Sequence, residues 1–217
     1  MTVDPPSVKP VPSPMEGGCA CGYLRYRLEN SPLVVHCCHC TSCQRETGTA
    51  FALNAVIETS NVTTLPSAAA TVPASPGDEA KPAGPSLFQP EEATTTEPKY
   101  ILTPSESQRG QSIARCPKCY VAVWSNYPGA GPLFRFIRVG TLDEPWKVGP
   151  DVHIYTRSKR SFVQLGADVP QYEDYYPTRE TVWSKESMER WKKAKAEGGT
   201  GGSLNLAERV EKSLRIS

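Results

Sequence analysis

Short runs of alternating or consecutive apolar residues mark most of the chain between residues 15 and 160. Residues 133–140 alternate clearly, whereas residues 51–58 form an almost continuous apolar run. Period-two alternation is typical of a half-buried strand, and a short apolar run of a buried one. We therefore predict strands at residues 23–28, 33–36, 51–58, 100–103, 112–115, 121–124, 133–140 and 153–156. Glycine, proline and asparagine separate these runs, so the pattern indicates a mainly β domain.

The periodicity becomes helical after Pro177. Trp183, Met188 and Trp191 recur at near-helical spacing, which predicts a helix over residues 184–197. A glycine-rich linker at 198–203 follows, and a capping box at 205–208 opens a last short helix. We expect the extension to dock on the domain; binding of a protein partner is the alternative.

Two segments lack any periodic pattern. Residues 1–14 hold five prolines, and residues 60–98 hold seven among alanine, threonine, serine and acidic residues. Such composition is typical of disorder. The chain is therefore predicted to comprise a disordered tail (1–14), a mainly β domain (15–177) with a disordered insertion at about 60–98, and a helical C-terminal extension (178–217).

Charge and hydropathy exclude several classes of function. Lys and Arg number 24 and Asp and Glu number 23, so no overall field attracts nucleic acid or anionic lipid. No run approaches the roughly 18 apolar residues of a membrane helix, and the N-terminus lacks the features of a secretory signal. These features predict a cytoplasmic protein, in which eight clustered cysteines serve as metal ligands rather than disulfides.

Two cysteine pairs predict a closed metal site. Cys19 and Cys21 form a C-x-C pair between glycines, and Cys116 and Cys119 form a C-x-x-C pair between two predicted strands. Each pair places two thiolates on a tight turn, and two such turns complete a tetrahedron around Zn²⁺. We expect the amides of the flanking glycines to approach the sulfurs. The alternative is two unrelated thiol pairs.

A third cluster predicts a second metal site. Cys38, Cys40 and Cys43 have C-x-C-x-x-C spacing, so three thiolates can hold Zn²⁺ on one face. The fourth position is then open to water or substrate, as in a catalytic site. The competing interpretation fills that position from His36, Cys37 or His39 and makes the site structural.

These motifs together resemble a known family. The stretches GGCACGYLRY, HCCHCTSCQRETGTAF, ARCPKC and HIYTRSKRSFVQLGADVPQYEDYYP are similar to the glutathione-dependent formaldehyde-activating enzyme family, which includes the centromere-protein-V branch. The resemblance implies a β-tent of stacked antiparallel sheets with two zinc ions per chain. It assigns Cys19, Cys21, Cys116 and Cys119 to the structural ion, and Cys38, Cys40 and Cys43 to the catalytic one.

The sequence departs from the family pattern at three places. Tyr120 stands where the family usually has glycine after the second C-x-x-C cysteine, and Cys37 is an additional thiol beside the catalytic set. The 60–98 insertion follows the strand after the catalytic loop. We expect these departures to reshape the turn or the pocket.

The resemblance implies a carbon–sulfur lyase like S-(hydroxymethyl)glutathione synthase, with glutathione and an aldehyde as small-molecule partners. We expect the glutathione sulfur to occupy the open position and to attack the aldehyde carbon. A non-catalytic zinc scaffold for a protein partner, and an enzyme acting on a biosynthetic intermediate, are the alternatives.

Residues outside the ligand sets are further candidates. His39 either supports the ligands by a hydrogen bond or carries a proton, or it is simply a turn histidine; His153 either packs in its strand or faces the pocket. Arg45, Arg109 and Arg115 either meet the carboxylates of glutathione or are solvated at the surface.

Overall fold

The computed structural model describes residues 11–68 and 96–198. In these residues it contains ten strands and two α-helices. The strands are β1 Met15–Gly18, β2 Arg25–Leu28, β3 Val34–Cys38, β4 Ala52–Glu58, β5 Val62–Leu65, β6 Lys99–Thr103, β7 Gln111–Arg115, β8 Ala122–Asn126, β9 Phe134–Arg138 and β10 Val152–Ile154. The helices are α1 Thr41–Thr47 and α2 Lys185–Gly198.

The strands form two sheets, which confirms the mainly β class. The smaller sheet has the order β1-β2-β5, and the larger has the order β10-β3-β4-β9-β8-β7-β6. Neighbours are antiparallel except at one edge, where β10 runs parallel to β3. The expectation of wholly antiparallel sheets is corrected there. After β9, the chain passes over β4 and β3 and adds β10 at the far edge of the sheet, so that β10 runs in the same direction as β9.

The larger sheet is covered on both faces. One face packs against the smaller sheet, and this core holds both the four predicted structural cysteines and the rings of Tyr26 and Trp124. The other face packs against the C-terminal part of the chain, with Tyr176, Trp183 and Trp191 among its members. Because side chains alternate along a strand, neighbouring residues of β3 enter opposite cores. Val35 lies in the first core and Val34 in the second.

All eight predicted strands and the helix after residue 184 are present, with shifted ends. The pattern missed β1, whose sequence MEGG has no alternation, and the short helix α1. It also missed β5, which lies within the segment assigned to the insertion and pairs with β2. The rest of that segment (69–95), most of the N-terminal tail (1–10) and the last predicted helix lie outside the described residues. The proposed domain boundaries stay a prediction.

Helix α2 docks through an ion pair as well as apolar contacts. The Arg190 guanidinium donates to both carboxylate oxygens of Glu58, at 2.9 and 2.7 Å, and to the carbonyl oxygen of Ser31 at 2.9 Å. The Glu58 side chain is 6% exposed and that of Arg190 is 17% exposed. The pair therefore joins α2 to the end of β4 in a largely dry environment, where an unpaired charge is costly.

We expect Arg190→Ala to lower the free energy of unfolding by about 3 kcal/mol, because it leaves a buried carboxylate without its cation. Denaturant unfolding of the zinc-loaded protein measures this change. Lys193→Ala on the exposed side of α2 is the matched control, since its ion pair with Glu197 is weak and solvated. Equal effects of the two substitutions would contradict the assignment.

Asp151 fixes the entry into β10. One carboxylate oxygen accepts a hydrogen bond from the Val35 amide at 2.7 Å, and the Asp151 amide donates to the Val35 carbonyl oxygen at 2.9 Å. Burial raises the pKa of this carboxyl to about 6, against a lowering by the Val35 amide. Between about pH 4 and pH 6, the folded protein therefore holds a proton there that the unfolded chain has lost.

This pKa shift predicts a pH-dependent effect of Asp151→Asn. Because the folded pKa is raised, the stability contribution of the group is present below about pH 4 and is lost as the pH rises through 6. The neutral amide should raise the free energy of unfolding by about 1–2 kcal/mol at pH 8 and change it little at pH 4. Unfolding of both proteins at the two pH values tests this; a pH-independent difference would contradict it.

Candidate metal centres and active-site cavity

The four predicted structural cysteines lie together. The sulfur atoms of Cys19, Cys21, Cys116 and Cys119 are all within 4.8 Å of one another. The Cys21 sulfur is 3.5 Å from that of Cys19 and 3.7 Å from that of Cys116. The cluster thus joins the end of β1 to the turn between β7 and β8, two points that are far apart in the sequence.

Tight turns bring these sulfurs together. A Cβ atom at Gly18 would lie 2.5 Å from the Leu24 carbonyl oxygen, so only glycine fits there. Amides that donate to these sulfurs include those of Leu24, 3.2 Å from Cys19 Sγ, and Lys118, 3.4 Å from Cys116 Sγ. The expected role of the flanking glycine amides is corrected at Gly22, whose amide donates to the Cys19 carbonyl oxygen. Gly22 has φ of +75° and closes that turn.

Tyr120 follows Cys119 as Gly22 follows Cys21, so it occupies the corresponding position of the turn between β7 and β8. It has φ of +61°, its amide donates to the Cys116 carbonyl oxygen at 3.0 Å, and its side chain is exposed. A non-glycine residue in this conformation costs about 1–2 kcal/mol. The turn thus closes over Cys116 with a tyrosine in the left-handed conformation that favours glycine.

The second sulfur set lies on the opposite face of the larger sheet. The sulfurs of Cys38, Cys40 and Cys43 are within 4.8 Å of one another and belong to the second core. Cys38 ends β3, and Cys40 is the N-cap of α1, where its sulfur accepts the Cys43 amide at 3.3 Å. The short helix α1 therefore closes the C-x-x-C turn. The sequence signal for α1 is the C-x-x-C spacing, which places the N-cap residue Cys40 three positions before the amide that donates to it.

Both sulfur sets suit a cation. Hydrogen bonds from Cys38 and Cys43 lower the pKa of Cys40 to about 3, and the same contacts raise that of Cys38. Similarly, a hydrogen bond between the Cys19 and Cys116 side chains lowers the pKa of Cys116 to about 5 and raises the pKa of Cys19. Sulfurs at these distances must share protons or a metal ion. Buried thiolate sets of this kind fit Zn²⁺.

The three-sulfur set has no fourth protein ligand among residues 11–68 and 96–198. His36 was one candidate, but its Nε2 atom bonds to the Tyr176 hydroxyl at 2.9 Å. Cys37 and His39 point to a different cluster, with His153. The geometry therefore leaves one side of the set facing away from protein donors.

That side faces a cavity of about 310 Å³. All three sulfurs belong to its wall, together with aromatic, polar and cationic side chains from both halves of the chain. The wall includes Cys38, Cys40, Cys43, His36, Arg109, Gln111, Tyr127, Phe136, Tyr155, Tyr175 and Arg179. A volume of this size is at the lower end of small-molecule sites.

A buried hydrogen-bond network orients His36 in this wall. The Tyr176 hydroxyl accepts from Trp183 Nε1 and from the Tyr175 hydroxyl, both at 2.8 Å. With both lone pairs used, it donates its proton to His36 Nε2, so His36 carries its own proton on Nδ1. Burial, and then the charge of Arg179, lower the pKa of His36 to about 3. The ring is therefore neutral at pH 7.

Among residues 11–68 and 96–198, two cations line the cavity. Arg109 is one of the three arginines proposed from the sequence; Arg45 is exposed on α1, and Arg115 pairs with Glu46 at 2.7 Å. The second is Arg179, which sequence reasoning missed. Its guanidinium lies 4.3 Å from the centroid of the Trp191 ring. No local sequence pattern marks Arg179 as a cavity residue, because only the tertiary fold brings it there.

His39 and His153 form a separate cluster with Cys37. His39 Nε2 lies 3.0 Å from His153 Nδ1 and 3.5 Å from the Cys37 sulfur. Burial lowers the pKa of both histidines, that of His39 to about 4. The imidazole of His39 thus points away from the cavity, although its backbone belongs to the ligand loop.

The family assignment follows from a comparison with known proteins. The model of the glutathione-dependent formaldehyde-activating enzyme family matches residues 14–82 and 78–158, which together exceed half the chain. The chain belongs to this family. Membership supports an enzyme related to the formaldehyde-activating enzymes, and the two sulfur sets are compatible with zinc.

Other comparisons add little. No curated protein shows a significant match to the chain. Among solved structures, a Rhodobacter sphaeroides protein is 14% identical and aligns over 58% of this chain and 86% of its own, with a TM-score of 0.32. A likeness of that degree supports no conclusion. Neither α1 nor α2 is long and apolar enough to cross a membrane.

The two sulfur sets should respond differently to substitution. We expect Cys40→Ser to remove one zinc ion per chain while the fold persists, because that set lies at a cavity wall. Cys116→Ser should remove an ion and lower the stability by several kcal/mol, since structural zinc is worth about 10–16 kcal/mol in small peptides. Zinc content and thermal unfolding measure both, and unfolding of the Cys40 variant would indicate that its site is structural.

Proposed function

We propose that this protein is a zinc-dependent carbon–sulfur lyase or synthase that activates the thiol of glutathione for addition to an aldehyde, as in S-(hydroxymethyl)glutathione synthase. The observation that carries the proposal is the position of Cys38, Cys40 and Cys43. Their three sulfurs belong to the wall of a cavity, and the described residues offer no fourth ligand.

The reaction is an addition. The thiol sulfur forms a bond to the aldehyde carbon, the carbonyl electron pair moves to oxygen, and the thiol proton ends on that oxygen. Zinc, when held by the three cysteines, supplies acidification and orientation of the incoming thiol. No oxidant or reductant is required, because the addition involves no net oxidation or reduction.

The chain's own residues exclude water and supply hydrogen bonds. Tyr127, Phe136 and Tyr175 give the cavity aromatic walls. Burial raises the pKa of Tyr155 to about 12, so it presents a neutral hydroxyl at pH 7 that can donate to a developing alkoxide. His39 is assigned no part in this reaction, since its imidazole bonds to His153.

Positive charge at the cavity suits glutathione, which carries two carboxylates. Arg109 and Arg179 both belong to the wall, and Glu106, the acidic residue beside them, is paired with Arg157. Arginine binds carboxylates with directed, charge-assisted hydrogen bonds. The cavity and its two cations favour an enzyme over a non-catalytic scaffold.

The test is catalysis by the zinc-loaded full chain. The rate of exchange between free and adduct glutathione is followed by NMR, with the enzyme-free mixture of glutathione and formaldehyde as the blank. We expect acceleration by the protein and a loss of about 100-fold or more in Cys40→Ser, the size typical of removing one key electrostatic contribution. No acceleration by fully loaded protein would refute the glutathione–formaldehyde assignment.

Substitution of the cavity cations tests how glutathione is held. Arg179→Gln and Arg109→Gln should each raise KM for glutathione about tenfold, which corresponds to about 1.4 kcal/mol for one lost charge-assisted contact. Arg45→Gln on exposed α1 is the matched control and should leave KM unchanged. A KM effect of the same size in all three variants would contradict the role of the cavity.

A further inference from the structure

The cluster of Cys37, His39 and His153 takes no part in the proposed reaction, and its donor atoms are within 4.8 Å of one another. All three side chains are at least nine-tenths buried. We propose that these residues form a third zinc site, with one thiolate and two imidazole ligands, on the side of β3 opposite the cavity.

The sheet register builds this cluster. Cys37 in β3 and His153 in the parallel strand β10 are directly paired, so their side chains leave the same face of the sheet. Cys38 leaves the opposite face, toward the cavity. The two neighbouring cysteines therefore serve different clusters and cannot bind the same ion.

The backbone around His39 is held firmly. Its amide donates to the Ile154 carbonyl oxygen at 2.9 Å. Its own carbonyl oxygen accepts from Gln44 Nε2 at 2.7 Å and from the Ser158 hydroxyl at 3.0 Å. These hydrogen bonds fix the backbone from which the ring reaches Cys37 and His153.

Protons alone do not satisfy the cluster. His39 Nε2 contacts both the Cys37 sulfur and His153 Nδ1, yet an imidazole nitrogen carries either one proton or one lone pair. It makes one good hydrogen bond and leaves the other contact unmet. A cation accepts lone pairs from all three atoms at once. A metal bound at Nε2 leaves the His39 proton on Nδ1, which is buried without a hydrogen-bond partner in the described residues, so the ring is held by its Nε2 contacts and its backbone.

The donor set selects a borderline-soft transition metal. One thiolate and two neutral imidazoles are ligands that Zn²⁺ takes with tetrahedral geometry, with room for a fourth ligand. The charged groups that act on the two rings are Lys159 on His39 and Asp168 on His153. Their opposite signs offset one another, so the thiolate supplies the net negative charge.

Such a site would hold the wall of the cavity from behind. Strand β10 has three residues and lies at the edge of the sheet, and Ile154 and Tyr155 at its end line the cavity. An ion bound by His153 in β10 and by Cys37 and His39 in the β3 segment links the edge strand to its neighbour. The third ion has a positioning role, separate from the ion at the three sulfurs.

Zinc counting on the full chain tests the proposal. The unmodified protein should retain three zinc ions per chain after removal of free metal, and Cys37→Ser and His153→Gln should each retain two. Val35→Ala, a buried position on the same strand and the same face as Cys37 but outside the cluster, is the matched control and should retain three. Two ions in the unmodified protein, with no loss in either variant, would refute the third site.

A second measurement applies if the variants fold poorly. The chain has three histidines, so nitrogen-15 NMR of the zinc-loaded unmodified protein resolves each ring. His39 and His153 should each show one metal-bound nitrogen, and His36 none. Ordinary hydrogen-bonded tautomers at all three would overturn the proposal. Neither measurement requires catalytic activity. Cys40→Ser should remove only the ion at Cys38, Cys40 and Cys43, so the two sites are distinguished.

Discussion

The structure depends on holding seven cysteine sulfurs close together, in two sets, inside a β domain. Buried thiolates repel one another in a medium of low dielectric, so they remain close only when protons or a cation lie between them. One set lies in the core beneath the smaller sheet. The other lies across the larger sheet, at the wall of a cavity. The same chemistry is thereby structural on one face and available to a ligand on the other.

Strand β3 organises the functional half of the molecule. Its side chains alternate between the two faces, so His36 and Cys38 point to the cavity while Val35 and Cys37 point away. The chain then turns at His39 into α1, which returns Cys40 and Cys43 to the cavity side. Residues 35–40 thus contribute to the first core, to the cavity wall and to the cluster of Cys37, His39 and His153.

The remainder of the cavity depends on segments distant in the sequence. The Tyr176 hydroxyl collects hydrogen bonds from Trp183 and Tyr175 and directs its own proton to His36. Helix α2 packs behind this network and is tied to β4 by Arg190 and Glu58. A change in the docking of α2 therefore reaches the cavity through Trp183 and Trp191, beside which Arg179 is stacked.

Sequence alone determined the features that are local. Alternation and short apolar runs predicted eight strands, and the spacing of C-x-C, C-x-x-C and C-x-C-x-x-C predicted which sulfurs share a turn. It missed β1 and β5, because four-residue strands with glycine or threonine carry no distinct pattern and form only against β2. It gave His39 and His153 no common role. Only the parallel register of β10 on β3 brings His153 to Cys37 and His39, and only the packing of the C-terminal segment brings Arg179 to the cavity, since neither neighbour is encoded by local spacing.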